Sequence, residues 1–145
     1  GFICPNFAIG AVLMMKFAAE ASQYMPRVEI IEYHHDQKLD APSGTAIKTA
    51  DLIAEKNPNV NSGDTVDEQE LIEGSRGGSR HNIPIHSVRL PGYVASQRVI
   101  LGGVGQTLTL SHDTIHRNSF MPGVVLAIRK MSSFKGLQYG LETVM

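Results

Sequence analysis

His34 and His35 stand side by side, Lys38 follows shortly after, and Ser43, Gly44 and Thr45 come directly after Pro42. Imidazole ordinarily titrates near neutral pH, and a bound anion raises that value, so a histidine here can hold a transferable proton. Pro-Ser-Gly-Thr reads as a helix start, where the first backbone N–H groups lack intrahelical partners and the helix dipole favours negative charge. Gly44 lets a ligand approach the backbone, and the hydroxyls of Ser43 and Thr45 add donors. A cation such as Lys38 next to a helix N-terminus is electrostatically unfavourable unless an anion lies between them. The stretch therefore suggests acid catalysis on an anionic substrate, a carboxylate or a phosphate. Two plainer readings stay open beside it, in which Ser43 only caps a helix and the histidines sit solvated on a turn.

A metal site is not expected. Adjacent side chains on a strand point to opposite faces, so His34 and His35 are poorly placed to share one ion. His81, His86, His112 and His116 lack the spacing of zinc ligands, and Cys4, the only cysteine, has no partner for a disulfide.

The elements that position these residues follow from periodicity. Residues 28–34 mix β-branched and acidic side chains as a strand that delivers the histidines to a sheet edge. After Ser43, the apolar positions Ala46, Ile47, Ala50, Ile53 and Ala54 trace one helix face until Asn57-Pro58 stops it. Upstream, Lys16, Glu20 and Gln23 form a narrow polar stripe on an otherwise apolar helix over residues 9–25. Residues 57–82 form a long polar loop with acids at Asp64, Asp67, Glu68, Glu70 and Glu73 and room for a short helix near 66–73.

Three strands are expected over residues 83–90, 93–101 and 106–112, and a last helix after Asn118 or Ser119 with Pro122 in its first turn. Only Arg89 and Arg98 carry charge in the strand region, which suggests that helices cover one sheet face and another subunit the other. The predicted fold class is α+β, with helices on one face of a mainly antiparallel or mixed four-stranded sheet.

With 13 basic and 14 acidic residues the formal net charge is −1, which gives no support to nucleic acid or anionic membranes as partners. The single Arg-Gly-Gly at 76–78 sits in an acidic neighbourhood and is not read as an RNA motif. The single cysteine and the lack of a secretory or spanning segment in this sequence point to a cytoplasmic chain.

HHDQKLDAPSGTA, residues 34–46, together with Glu32, resembles the signature of the dihydrodipicolinate reductase family. CPNFAIGA, SVRLPGYVASQRVILGG and LSHDTIHRNSFMPGVVLAIRK resemble the same family, so that the likeness covers nearly the whole chain. It implies an NADH- or NADPH-dependent reductase of a cyclic dicarboxylate on the diaminopimelate route to lysine. By resemblance, His34 would donate a proton to the ring carbon and Lys38 would be the second catalytic residue, holding a carboxylate. His35 would contact substrate, and Gly44 and Thr45 would bind a carboxylate through backbone N–H groups. Cys4, Pro5, Asn6 and Phe7 would line the nicotinamide pocket.

One departure is large, because the family's dinucleotide-binding domain carries a Gly-rich strand-to-helix turn that this sequence lacks. GGVGQTL from Gly102 leads into a strand pattern and reads as a turn. The chain is therefore expected to be the substrate-binding and tetramerisation half, residues 1–145, with 1–7 and about 116–145 packing against an absent Rossmann domain. Such a fragment would be inactive by itself. A histidine-based metal module and a non-catalytic assembly domain remain the rival readings.

Overall fold

The structure is a computed structural model that describes residues 1–63 and 66–145; Asp64, one of the loop acids, lies outside them. The chain runs β1 (Phe2–Ile3), α1 (Ile9–Ala21), β2 (Arg27–His34), α2 (Gly44–Lys56), β3 (Gly78–Arg80), β4 (Ile83–Arg89), β5 (Ala95–Gly103), β6 (Gln106–Thr114), α3 (Met121–Lys130) and β7 (Gln138–Tyr139). This is an α+β architecture, as the patterns predict. Five strands form a mixed sheet in the order β3-β4-β2-β5-β6, while β1 and β7 pair in parallel as a separate ribbon.

β2 is parallel to β4 and antiparallel to β5, so it occupies the middle of the sheet. Its residues Val28, Ile30, Glu32 and His34 alternate onto one face, where Val28 and Ile30 are buried with Ile83, Ile85, Val99 and Leu101 of the neighbouring strands. Val12, Met15 and Ala18 of α1 and Ala46, Ala50 and Ile53 of α2 close over that face as one apolar core. Fully burying each large aliphatic side chain contributes about 1.5–3 kcal/mol.

The same face changes chemistry along the strands. Val28 pairs with Leu101 and Ile30 with Val99, but the next rows read Glu32, Gln97 and His112, then His34, Ala95 and Thr114. Cross-strand partners on one face stand about 5 Å apart. A contiguous polar floor therefore begins where the apolar core ends, at the C-terminal end of β2.

Three local expectations need amendment. α1 ends at Ala21, because the chain tightens into turns over 22–25 ahead of Pro26. No helix forms over 66–73; instead the Glu70 carboxylate accepts from the backbone N–H groups of Gly74 at 3.0 Å and Arg76 at 3.1 Å. A side chain that bonds nearby backbone in this way competes with helical pairing. β3 is a fifth strand inside that loop, built on Gly-Ser-Arg and joined to β4 by His81 and Asn82, both at positive φ, as a tight hairpin requires.

The opposite face of the sheet carries Ile31, Tyr33, Val88 and Ile100, all part-exposed, with Arg98 over the Tyr33 ring at 5.6 Å. It is less free of charge than its sequence suggested. Glu29 on that face accepts from Arg76 at 2.6 Å and pairs with His86 at 2.8 Å.

Candidate functional site

Three segments converge at the end of β2. The strand delivers His34; a turn closed by the Lys38 N–H donating to the His35 carbonyl at 3.2 Å returns the chain; and the peptide before Pro42, which is cis, leads into α2. Ser43 caps α2, its Oγ accepting from the Ala46 N–H at 3.2 Å. That local cap is the plain reading of Ser43, and it is present. It also leaves the Ser43 hydroxyl hydrogen free to donate.

His34, Lys38, Ser43, Gly44 and Thr45 share one cleft of about 230 Å³. Pro5 and Asn6 line it from the segment before α1, and Gln97, His112 and Thr114 form part of its wall on the sheet side. No acidic side chain is among the described residues that line it. The basic and hydroxyl groups, the free N–H groups at the start of α2 and this absence of acids make the cleft receptive to a small anion. Nothing within 4 Å would meet a side chain at Gly44, so the space beside that backbone belongs to no other part of the protein.

The remaining candidates are placed differently. His35 lies just past the strand, outside the cleft lining, as the alternation of strand side chains dictates. Cys4 and Phe7 also lie outside it. The Cys4 thiol donates to the Asn6 carbonyl at 2.8 Å and burial pushes its pKa up, while the Phe7 ring packs against Phe2 with centroids 6.0 Å apart. Asn6 is a connector: its Nδ2 donates to Thr45 Oγ1 at 3.1 Å and its Oδ1 accepts from the Ala8 N–H at 2.8 Å. Thr45 accepts that bond, so its own hydroxyl hydrogen stays available.

Beneath the cleft lies a network that the residue reading left without a role. Glu32 is fully buried and is held by Arg89 in a two-pronged pair, Nη2 to Oε1 and Nη1 to Oε2, each at 2.8 Å. The Ser43 N–H donates to Oε1 at 3.2 Å, and the His34 Nδ1 lies 2.5 Å from Oε2. Burial pushes the Glu32 carboxyl up, but the hydrogen bonds and charge of Arg89 outweigh it and hold the group below the usual carboxylate range. Removing either partner of such a buried pair generally costs about 3–5 kcal/mol. For His34 burial dominates; the charges of Arg89 and Lys38 reinforce it, the Glu32 carboxylate opposes it, and the imidazole lies below its ordinary value. The period of two along a strand was the available signal for Glu32, since it sets Glu32 and His34 on one face. Arg89 is 57 positions from Glu32, and no local pattern announces that contact.

Burial likewise pushes the His112 imidazole down, against the charge of Asp113. Among the described residues no three His, Cys, Asp or Glu side chains converge as metal ligands, and no helix is long and apolar enough to cross a membrane. A larger groove of about 450 Å³ between α1 and α2 is lined by Val12, Met15 and Leu52 with Lys16, Glu20 and Lys56 among its charged residues, and it holds no imidazole or hydroxyl.

An α+β domain with a basic, hydroxyl-lined cleft at a helix start is the frame of a small-molecule binding domain. Comparison with known proteins is specific about which one. Residues 10–145 match the family described as "Dihydrodipicolinate reductase, C-terminus". A 4-hydroxy-tetrahydrodipicolinate reductase of Geobacillus thermodenitrificans is 60% identical over 143 residues, covering 99% of this chain and 54% of its own length. The enzyme of the same name from Desulfitobacterium hafniense is 59% identical over 141 residues, covering 97% of this chain and 52% of its own. A solved dipicolinate-bound dihydrodipicolinate reductase from Paenisporosarcina sp. TG-14 superposes with a TM-score of 0.89 at 58% identity, covering 99% of this chain and 54% of that one. The chain belongs to the dihydrodipicolinate reductase family and corresponds to its C-terminal part. It spans about half the length of the relatives it matches.

Proposed function

We propose that this chain is the substrate-binding half of a reductase acting on a cyclic dicarboxylate of the diaminopimelate route to lysine. The observation that carries the reading is the convergence of His34, Lys38 and the start of α2 on one cleft that no acid lines. One carboxylate would take the N–H groups of Gly44 and Thr45 and the hydroxyls of Ser43 and Thr45. The other would pair with the Lys38 ammonium. A six-membered ring bridging them would lie against His34, which delivers a proton to a ring carbon. His35 would touch substrate only at the mouth of the cleft.

NADH or NADPH supplies the hydride when bound in the intact enzyme. Pro5 and Asn6 line the cleft and fit one flank of a nicotinamide ring, whereas Cys4 and Phe7 would act by shaping that segment. The main dinucleotide site would lie in a preceding Rossmann domain, against which 1–7 and about 116–145 would pack. We further propose that four copies associate through the sheet face bearing Ile31, Tyr33 and Ile100, and that the assembly works in the cytoplasm.

Calorimetric titration of the chain with pyridine-2,6-dicarboxylate tests the core of this reading. Saturable binding that disappears with Lys38→Ala and Thr45→Val supports it; no binding to the wild-type chain rejects it. The 145 residues alone should oxidise no NADH with the cyclic dicarboxylate.

A further inference from the structure

Glu32 accepts from Arg89 through both oxygens and is fully buried. An ionised carboxylate can only accept hydrogen bonds, so the short contact between its Oε2 and His34 Nδ1 must have the proton on Nδ1. His34 is then fixed in one tautomer, with Nε2 the ring nitrogen left without a partner among the described residues. Arg89 does a second thing, because it neutralises the carboxylate that would otherwise hold an imidazolium in place.

Charged and titratable groups approach His34 from several elements. β2 contributes Glu32, β4 contributes Arg89, the turn contributes Lys38 paired with Asp40 at 2.7 Å, and β6 contributes His112; α1 presents only Ala11 and Met14 to the cleft. The charge of Glu32 beneath the cleft is matched by Arg89, and among the described lining residues Lys38 brings a positive charge and none brings a negative one. An empty cleft thus favours neutral His34, and a bound dianion reverses that balance.

We propose that Glu32, held ionised by Arg89, is the positioning residue that presents His34 Nε2 to the cleft unprotonated, and that the proton His34 delivers is taken up at Nε2 when the dicarboxylate binds. This rests on the dicarboxylate reading for its ligand, but the tautomer does not. Arg89 sets the timing, since it keeps the proton off until the substrate's charge arrives. Donation then breaks the Nε2–H bond, forms a C–H bond at the ring carbon and returns His34 to the neutral Nδ1–H form.

Three measurements on the 145-residue chain decide it. In the ligand-free chain at neutral pH, the ¹⁵N resonances of His34 should show a pyrrole-type Nδ1 and a pyridine-type Nε2; the reverse assignment, or a mixture, overturns the positioning role. Titration with pyridine-2,6-dicarboxylate in buffers of different ionisation enthalpy should show net proton uptake at pH 7 that is lost in His34→Gln. Binding without uptake overturns the loading step. Arg89→Met should move the ligand-free His34 midpoint up, and Glu32→Gln should move it down; a merely structural pair would shift neither in opposite senses. Absence of binding would reject the dicarboxylate reading and the loading step together, while the ligand-free tautomer still judges Glu32.

Discussion

The Lys38 ammonium lies 2.7 Å from the Asp40 carboxylate, two residues further along the same turn. The cation therefore has a counter-ion of its own, and the anion inferred from its position beside a helix start is in part supplied by the protein. Asp40 is two-thirds exposed, and the hydrogen bond and charge of Lys38 hold its pKa below the usual range. A ligand carboxylate must compete with it. Asp40→Asn should tighten pyridine-2,6-dicarboxylate binding by roughly twofold to fivefold, in keeping with an exposed pair, and steepen its dependence on salt. Titration at two ionic strengths measures both. Weaker binding in the variant would show that Asp40 orients Lys38 instead of competing for it.

Gly44 opens α2 beside a space that no protein atom fills. Alanine there meets no steric obstacle and gains helix propensity, so Gly44→Ala should leave the thermal midpoint unchanged or slightly raised. The added methyl group would occupy space beside the free N–H groups. Binding of pyridine-2,6-dicarboxylate should then weaken by about tenfold or more, which corresponds to one lost charge-assisted hydrogen bond. A variant that binds normally would place the carboxylate elsewhere.

Much of the site was legible because its causes are local. His34, Lys38 and the Ser43 cap belong to one strand, one turn and one helix start, and each announces itself within a few residues. His35 failed to join them for a reason equally local, the alternation of side chains beyond a strand end. What stayed hidden depends on register. Gln97 and His112 reach the cleft because β5 and β6 pair with β2 in a particular alignment, and Arg89 reaches Glu32 because β4 runs parallel beside it. The helix expected near Glu70 and the strand at Gly78 show the same limit from the other side: a side-chain turn displaced one, and pairing with Ile85 created the other from residues of poor strand propensity.

Acid should destabilise the fold in two stages. His34 and His112 have folded-state values below 6.5, so just below that pH the unfolded chain binds more protons than the folded one. Their contribution is complete above about pH 6.5 and shrinks as pH falls through that window. Glu29, Glu32 and Asp51 are also lowered, chiefly by Arg76, Arg89 and Arg80 acting against burial. Their contribution persists down to about pH 4 and is lost below it, as pH falls through the folded values. Thermal midpoints measured from pH 8 to pH 3 should therefore decline gently and then steeply. His112→Gln should flatten the first stage and leave the second unaltered; an unchanged first stage would mean His112 does not report burial.

Gly123, near the start of α3, supplies the opposite case to Gly44. A methyl group there would overlap the Phe7 carbonyl oxygen and press on Leu141, which is buried. The obstacle is backbone, which cannot rotate away, so either α3 or the segment around Phe7 must shift. Alanine's helix propensity gains about 1 kcal/mol over glycine, but overpacking a close contact costs about 1–3 kcal/mol and occasionally more. Gly123→Ala should thus lower the thermal midpoint. Phe7 adjoins Asn6, whose side chain is tied to Thr45 in the cleft, so the same displacement should also weaken dicarboxylate binding. Stability and binding falling together in Gly123→Ala, against binding alone in Gly44→Ala, would show that the segment before α1 is a structural support of the site. Normal binding by a destabilised Gly123→Ala chain would show that the Asn6–Thr45 link does not position the helix start.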